Sequence, residues 1–495
     1  MSPITKVIEP VKVTFIASLL LSLIAYWNNP VLNRDGMYYV EWAQVILETG
    51  TQGFDYAGGG VFLALLPHSI AGFSFLTGVT AESAGYLINA FFLATTCSLI
   101  VAITRARQAD AAWAACMVVL AMPAFNELRN EILREFGFWF FSILAFWLAL
   151  RWETTARWQL AIACQLSLVL ATLFRLEAVV FFFSLLLWQV FTAENGFKLK
   201  RAIAIAYFPV GVIIIASLLF ASGLIDMPAR ITYYLDAANP LNKFAAFNEA
   251  GKRLSDSGIF KFPYSREEAG YILFFGLMSV IPVKFMSMSG LLLVPLGYQF
   301  SLQSVKASLS RWPLLTWSLF LYVLVLMAFI AHQFFLTGRY VSTLNLLAVP
   351  LFASGLALLL ERYRRWRILI LALLLLTMVA NVVSLSPRKT HLVEAAHWIA
   401  ANTNEYKQIY IDNPRVGYYA KLGYIATGRA AMDRRALAVS LSMHQFDILA
   451  LDTKRDDEET AKFIRENMLH ELIRFTDQRG TGVIIVIPRS SNLSE

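Results

Sequence analysis

The chain has 495 residues, of which 58% are hydrophobic, 14% aromatic and only 15% charged, a mixture far more apolar than that of soluble globular proteins. Apolar blocks of about 16 to 22 residues recur between charged breaks, each near the helix length that crosses a bilayer core. A membrane β-barrel would show shorter alternating segments, and the formal charge of +8 comes from short basic clusters between apolar blocks, the pattern of membrane orientation and not of nucleic-acid binding.

The N-terminal "MSPITKVIEPVKVTFIASLLLSLIAYW" resembles a signal sequence, but its apolar part is long and no small-residue cleavage site follows, so a retained first span is expected. Hydropathy predicts about eleven spans: residues 11–27, 83–104, 110–123, 136–150, 158–174, 177–192, 202–222, one within 269–300, 312–332, 341–360 and 368–386. The block "YILFFGLMSVIPVKFMSMSGLLLVPLGYQF" is counted as one span preceded by an interfacial or re-entrant piece around Pro282 and Lys284, because two spans would break the charge alternation of every later linker. Cys97, Cys116 and Cys164 all fall inside apolar blocks with no CxxC or Cys/His spacing, which indicates packing residues and neither a disulfide framework nor a zinc site.

Alternate linkers carry Arg105 and Arg107, Arg151 and Arg157, Lys198 with Lys200 and Arg201, Lys306 with Arg311, and "RYRRWR". Basic linkers face the cytoplasm. The opposite set is then extracytoplasmic: residues 28–82, 124–135, the Arg175 corner, 223–268, 333–340 and everything after 386. From Pro387 the composition becomes that of a soluble domain, with a helix in "HLVEAAHWIAANT", strands in "QIYID" and "FDILALD", a long amphipathic helix in "DEETAKFIRENMLHELIRF" and a strand in "GVIIVIP". The expected fold is mainly α: a polytopic transmembrane helical bundle over 1–386, followed by a small extracytoplasmic α/β domain over 387–495.

Asp35, Asp55, Glu127, Glu131, Arg134, Glu135, Arg175, Glu177 and Arg339 are distant in sequence, yet the orientation rule puts all of them on one face. Charges at span ends cost less than charges at mid-depth, so their gathering is what asks for a reason. Read from the residues alone, Asp35 is either a base or a partner of Arg34 at the start of an interfacial helix. Glu127, Glu131, Arg134 and Glu135 recur at helical spacing and suit an i,i+4 network on an interfacial helix. Positive charges at Arg175 and Arg339 run against the orientation rule on that side. A guanidinium there can meet two oxygens of an anion at once, and snorkelling is the alternative.

"RDGMYYVEWAQ" after the first span, "PAFNELRNEILREFGFWFF" entering the fourth, "LFRLEAVVFFF" at the next corner and "GRYVSTLNLLAVPLFASGLALL" late in the chain together resemble the GT-C glycosyltransferases. The likeness is to the family 39 group, which includes protein O-mannosyltransferases and the lipid A aminoarabinose transferase, and it covers about residues 10–386. It implies a membrane enzyme that takes a sugar from a polyprenyl-phosphate carrier and passes it, with inversion, to a hydroxyl of a protein, lipid or glycan. It also implies a multi-pass protein of the bacterial cytoplasmic membrane, among membrane lipids, with no cofactor certain and assistance by a divalent metal left open; nucleic-acid motifs are absent, so no nucleic-acid partner is expected.

Carried over by position, Asp35 is the base for the acceptor hydroxyl and Glu135 the acidic residue of the second external loop. Tyr39, Arg175, Arg339 and Tyr340 hold the donor phosphate. Arg34, Asp55, His68, Glu131, Arg134 and His332 are further pocket residues. Two departures stand out: Gly36 where many members have a second acid, and "GFDYAGGGVFLALLPH" where the aminoarabinose transferases carry a Lys-Pro-Pro segment. The three glycines suit either an anion-binding nest or a hinge. A transporter of lipid-linked saccharide, the reading from another class, would place charge at mid-span or show inverted repeats; a non-catalytic binder of such lipids is the third reading.

Overall fold

A computed structural model describes residues 9–28, 31–50, 53, 61–192, 198–223, 232, 240–260, 262–383, 389–402, 406, 408–443 and 445–488. Within the described residues, the predicted apolar blocks fall mainly on helix. Among the described residues, seven helices are long and apolar enough to cross a membrane, including Pro10–Asn28, Ala81–Arg107, Arg134–Thr155, Pro313–Gln333 and Gly338–Arg362. Ala112–Ala121, Trp158–Phe174 and Val179–Thr192 are shorter apolar helices. The segment counted as one span is a helical run of 34 residues, Ala269–Leu302, with breaks at Ser279 and at Gly290. Contacts divide the chain into two compact units, the first made of Met1–Leu23, Asn89–Arg129 and Arg134–Val382, the second of Ile24–Ile88, Asn130–Leu133 and Val383–Glu495.

In the first unit the helices are apolar on all sides, so their association cannot rest on hiding an oily face from water; it rests on close packing and on hydrogen bonds between helices. Phe138, Phe181 and Tyr322 pack as a triangle of near-parallel rings, with centroids 5.8 Å, 6.0 Å and 6.3 Å apart. Such pairs each add about 0.5–1.5 kcal/mol to packing. Trp139 donates through Nε1 to Thr343 Oγ1 at 2.9 Å, and Asn345 Nδ2 donates to Ser289 Oγ at 2.8 Å. At Gly137 a Cβ would run into the ring of Phe174, so the absence of a side chain lets Arg134–Thr155 and Trp158–Phe174 pack tightly just before the Arg175 corner.

The second unit holds a four-stranded sheet in the order β1-β2-β4-β3, with β1 Ile409–Ile411, β2 Ile448–Thr453, β3 Leu469–Thr476 and β4 Gly482–Pro488. β1 and β2 are parallel; β4 is antiparallel to β2 and to β3. Thr390–Asn402 packs on one face through Leu392, Ala395, Ala396 and Ile399, and Leu437 and Phe463 cover the other.

The sequence from 457 on departs from expectation. The predicted long helix stops at Glu466, Met468 takes a positive φ of 50°, and residues 469–476 form β3. β4 carries the apolar run "VIIVI", whose backbone groups need a ladder partner on each side, and β3 provides the second one.

The first loop is built into this unit. Trp42 of the helix Arg34–Thr49 is fully buried and donates to the carbonyl of Gly53 at 2.8 Å. The Glu41 carboxylate accepts from the backbone N–H groups of Tyr424 and Ile425, capping the helix Tyr424–Arg429, and Tyr419 OH accepts from Leu32 N at 2.8 Å. Asn33 clamps Ile132, its Oδ1 accepting from the backbone N–H at 3.0 Å and its Nδ2 donating to the carbonyl at 3.3 Å.

Candidate functional site

Two groups of the expected site residues form, one in each unit. In the first unit Glu135 sits in the first turn of Arg134–Thr155, where the positive end of the helix dipole favours a carboxylate. Arg175 is the extended residue that ends Trp158–Phe174. Its Nη1 donates to Glu135 Oε1 at 2.5 Å and its Nη2 to Glu177 Oε1 at 2.7 Å, with a third contact from Nε to Glu177 Oε2 at 3.3 Å. Arg339, in the first turn of Gly338–Arg362, brings its Nε to 3.4 Å from the same Glu135 oxygen.

The ring of Tyr340 lies under both guanidinium groups, 4.6 Å from that of Arg175 and 5.3 Å from that of Arg339. Tyr322 fixes the turn below by donating to the carbonyl of Tyr340 at 3.2 Å. Arg134 donates to the carbonyl of Phe174 at 3.3 Å, so it holds the corner from the backbone side. His332 lies half-buried in the last turn of Pro313–Gln333.

The two arginines are not equivalent. The Arg175 side chain is 9% exposed and spends its donors on two carboxylates, whereas Arg339 is 28% exposed. Arg175 is thus taken up by carboxylates, and the guanidinium of Arg339 is the more open of the two.

In the second unit Asp35 is half-buried in the first turn of Arg34–Thr49, close enough to Tyr424 for its charge to act on that phenol. Tyr39 is buried one turn on, edge-to-face with Tyr38 at 5.5 Å. The missing second acid has a steric reason: a Cβ at Gly36 would run into the side chain of Asn33 and come within 3.2 Å of Ile132 Cβ, so the clamp between Asn33 and Ile132 leaves no room for a carboxylate there. His68 meets the edge of Trp42 at 6.4 Å, a packing contact. Glu131 is half-buried in the turn before Ile132 and acts electrostatically on Lys389. Asp55 and the three glycines lie outside the described residues.

The stretch "NELRNEILREF" differs from the interfacial helix expected. Helix covers only Pro123–Asn126, and residues 127–130 form turns. This lets Arg129, which carried no expectation, enter the first unit. It is 4% exposed and donates to Ser18 O at 2.9 Å, to Ser18 Oγ and Ser22 Oγ at 3.0 Å, and to Asn126 Oδ1 at 2.7 Å. Ser18 and Ser22, one turn apart in the apolar first helix, are the signal that could have announced it. Glu177 and Tyr322 also complete the cluster without having been assigned a site role. Among the described residues, no group of three or more His, Cys, Asp or Glu could hold a metal ion.

No protein-family model and no curated protein sequence matches the chain. Solved structures do. The oligosaccharyltransferase of Archaeoglobus fulgidus, crystallised with Zn and sulfate, aligns over 96% of this chain and 73% of its own with a TM-score of 0.58 at 13% identity. The chain has a GT-C fold. The same archaeal protein, AglB, in complex with an inhibitory peptide and a dolichol-phosphate aligns over 89% of this chain and 69% of its own, at 12% identity and a TM-score of 0.50. ArnT from Cupriavidus metallidurans bound to undecaprenyl phosphate aligns over 97% and 98% of the two chains at 13% identity, with a TM-score of 0.46. Within a GT-C fold, then, this chain carries an arginine, glutamate and tyrosine cluster at the ends of four helices.

Proposed function

We propose that this protein is a membrane glycosyltransferase that moves a sugar from a polyprenyl-phosphate donor to an acceptor hydroxyl, with inversion, at the extracytoplasmic face of a bacterial cytoplasmic membrane. The observation that carries the reading is the Arg175, Glu135, Arg339 and Tyr340 cluster in a GT-C fold. The neighbouring AglB structure with dolichol-phosphate supports a lipid-phosphate donor.

Asp35 takes the proton of the acceptor hydroxyl as its oxygen bonds to the anomeric carbon. The bond between that carbon and the donor phosphate breaks, and the electron pair leaves with the phosphate. Arg339 meets the charge that develops there, over the face of Tyr340. Tyr39 assists in holding the donor phosphate. Arg175 does not touch the donor; it holds Glu135, and Glu135 holds Arg339 at the required angle. An acceptor hydroxyl attacking from the face opposite the leaving phosphate gives inversion.

The test is incubation of the purified chain with a labelled polyprenyl-phosphate sugar. Release of free polyprenyl phosphate with matching appearance of labelled acceptor supports the reading, and movement of the intact labelled lipid across a vesicle bilayer without cleavage would replace it with transport.

A further inference from the structure

The second unit holds a cavity of about 280 Å³ whose walls include Arg34, Lys389, His391 and Arg415. Its acids are already occupied. Asp457 caps the helix Glu458–Glu466, accepting from Thr460 N at 3.1 Å and from Thr460 Oγ1 at 3.0 Å. Asp477 closes the turn between β3 and β4 by accepting from Arg479 N at 2.8 Å and Thr481 N at 3.0 Å. Asp452 takes both contacts from Asn413 Nδ2, at 3.2 Å and 3.1 Å.

The cations are in the opposite state. Among the described residues no carboxylate lies within ion-pair distance of Arg34, Lys389 or Arg415, and Lys454 adds a fourth positive charge at the rim. Arg415 Nε and His391 Nδ1 are buried nitrogens without a hydrogen-bond partner, and His391 as a whole is only 5% exposed. A buried donor left unmade costs stability unless something fills the place. Burial, then the charges of Arg415 and Arg34, hold the Lys389 ammonium below its usual range, and burial with the charge of Arg34 does the same to Arg415. Glu131 and Asp477 offset part of this for Lys389, and Asp452 part of it for Arg415; an anion between the cations would relieve the rest.

We infer that this cavity is a subsite for a phosphate group carried by the acceptor, which makes the acceptor a phosphorylated molecule whose hydroxyl is presented to Asp35. Two guanidinium forks and one ammonium can meet the three free oxygens of a phosphate from different sides, and Lys454 brings the cations of the lining to four against the three carboxylates of Asp452, Asp457 and Asp477. His391 adds a donor when its Nδ1 carries the proton. Arg34 precedes Asp35 in the chain, so the residue that holds the phosphate and the residue proposed as base start the same helix. The inference rests on the reading of Asp35 as base, and its test has one readout that does not depend on that reading.

Binding of labelled inorganic phosphate to the full chain in detergent is measured by equilibrium dialysis, with glucose 6-phosphate, acetate and vesicles of phosphatidic acid in phosphatidylcholine as competitors. Saturable binding displaced by glucose 6-phosphate but not by acetate, and weakened about tenfold in each of Lys389→Gln and Arg415→Gln, as loss of one charge-assisted hydrogen bond predicts, supports the subsite. Thermal unfolding of the same variants confirms that they fold, and Lys389 is exposed enough to serve if Arg415→Gln does not.

Displacement by phosphatidic acid vesicles alone, with no retention of soluble phosphates, overturns the subsite in favour of a lipid-surface patch. Absence of phosphate binding in a chain that still cleaves its donor overturns this inference and leaves the proposed function standing. Phosphate binding in a chain that never cleaves donor does the reverse, removing the acceptor role together with the enzyme.

Discussion

The Arg175 cluster of the first unit and the Arg34, Lys389 and Arg415 cavity of the second use the same kinds of side chain with opposite partnerships. At Arg175 the Nε, Nη1 and Nη2 donors all meet carboxylates, and the guanidinium is buried. In the cavity the acids serve helix caps and turns, and the cations are left without ion partners among the described residues. Counting charges in the sequence would rate the two regions alike. Their partners separate them: the first is a rigid mount for Arg339, and the second is a place waiting for an anion.

Variants can break or sharpen this contrast. The largest effect is expected at Arg175: replacing it by Ala strands Glu135 and Glu177 as buried charges and should cost about 3–5 kcal/mol of stability, seen as a fall in unfolding temperature or loss of folded protein. A smaller stability loss, about 2 kcal/mol, is expected for Glu41→Ala, which removes the carboxylate from two backbone N–H groups at the start of Tyr424–Arg429; limited proteolysis or hydrogen exchange at residues 424–429 would report it first. Arg339→Gln should leave the fold within about 1 kcal/mol, since the side chain is partly open, yet slow sugar transfer by about 10²-fold. If Arg339→Gln were as unstable as Arg175→Ala, the division into mount and contact would be wrong. Lys389→Gln should change stability least, by less than about 0.5 kcal/mol and in the direction of greater stability, because it relieves repulsion with Arg34 and Arg415; calorimetric unfolding gives the sign.

Much of this was open to reading in the sequence, because a bilayer forces long apolar helices and leaves charges at their ends. The described residues of the blocks from 11–27 onward are mainly helix for that reason. The "FRLE" corner and "TGRY" were likewise visible as unusual charges, and they meet at Glu135.

What the sequence hid were matters of partner choice. The i,i+4 spacing in "NELRNEILREF" is equally compatible with a turn whose arginine dives toward Ser18 and Ser22. The amphipathic run after Asp457 could be helix or helix plus strand until β4 was known to need a second neighbour. Gly36 looked like a defect in a motif, and only the clamp between Asn33 and Ile132 explains it. The cation cavity joins Arg34 to residues more than 350 positions later, a pairing that no local pattern reveals.

The central claim is that Asp35 removes the acceptor proton during transfer from a lipid-linked sugar, and the most direct measurement compares donor binding and sugar transfer in the wild-type chain and in Asp35→Asn. The account predicts unchanged affinity for the polyprenyl-phosphate donor and transfer reduced by about 10²–10⁴-fold. Transfer at the wild-type rate in Asp35→Asn, with the donor bound as before, would contradict it.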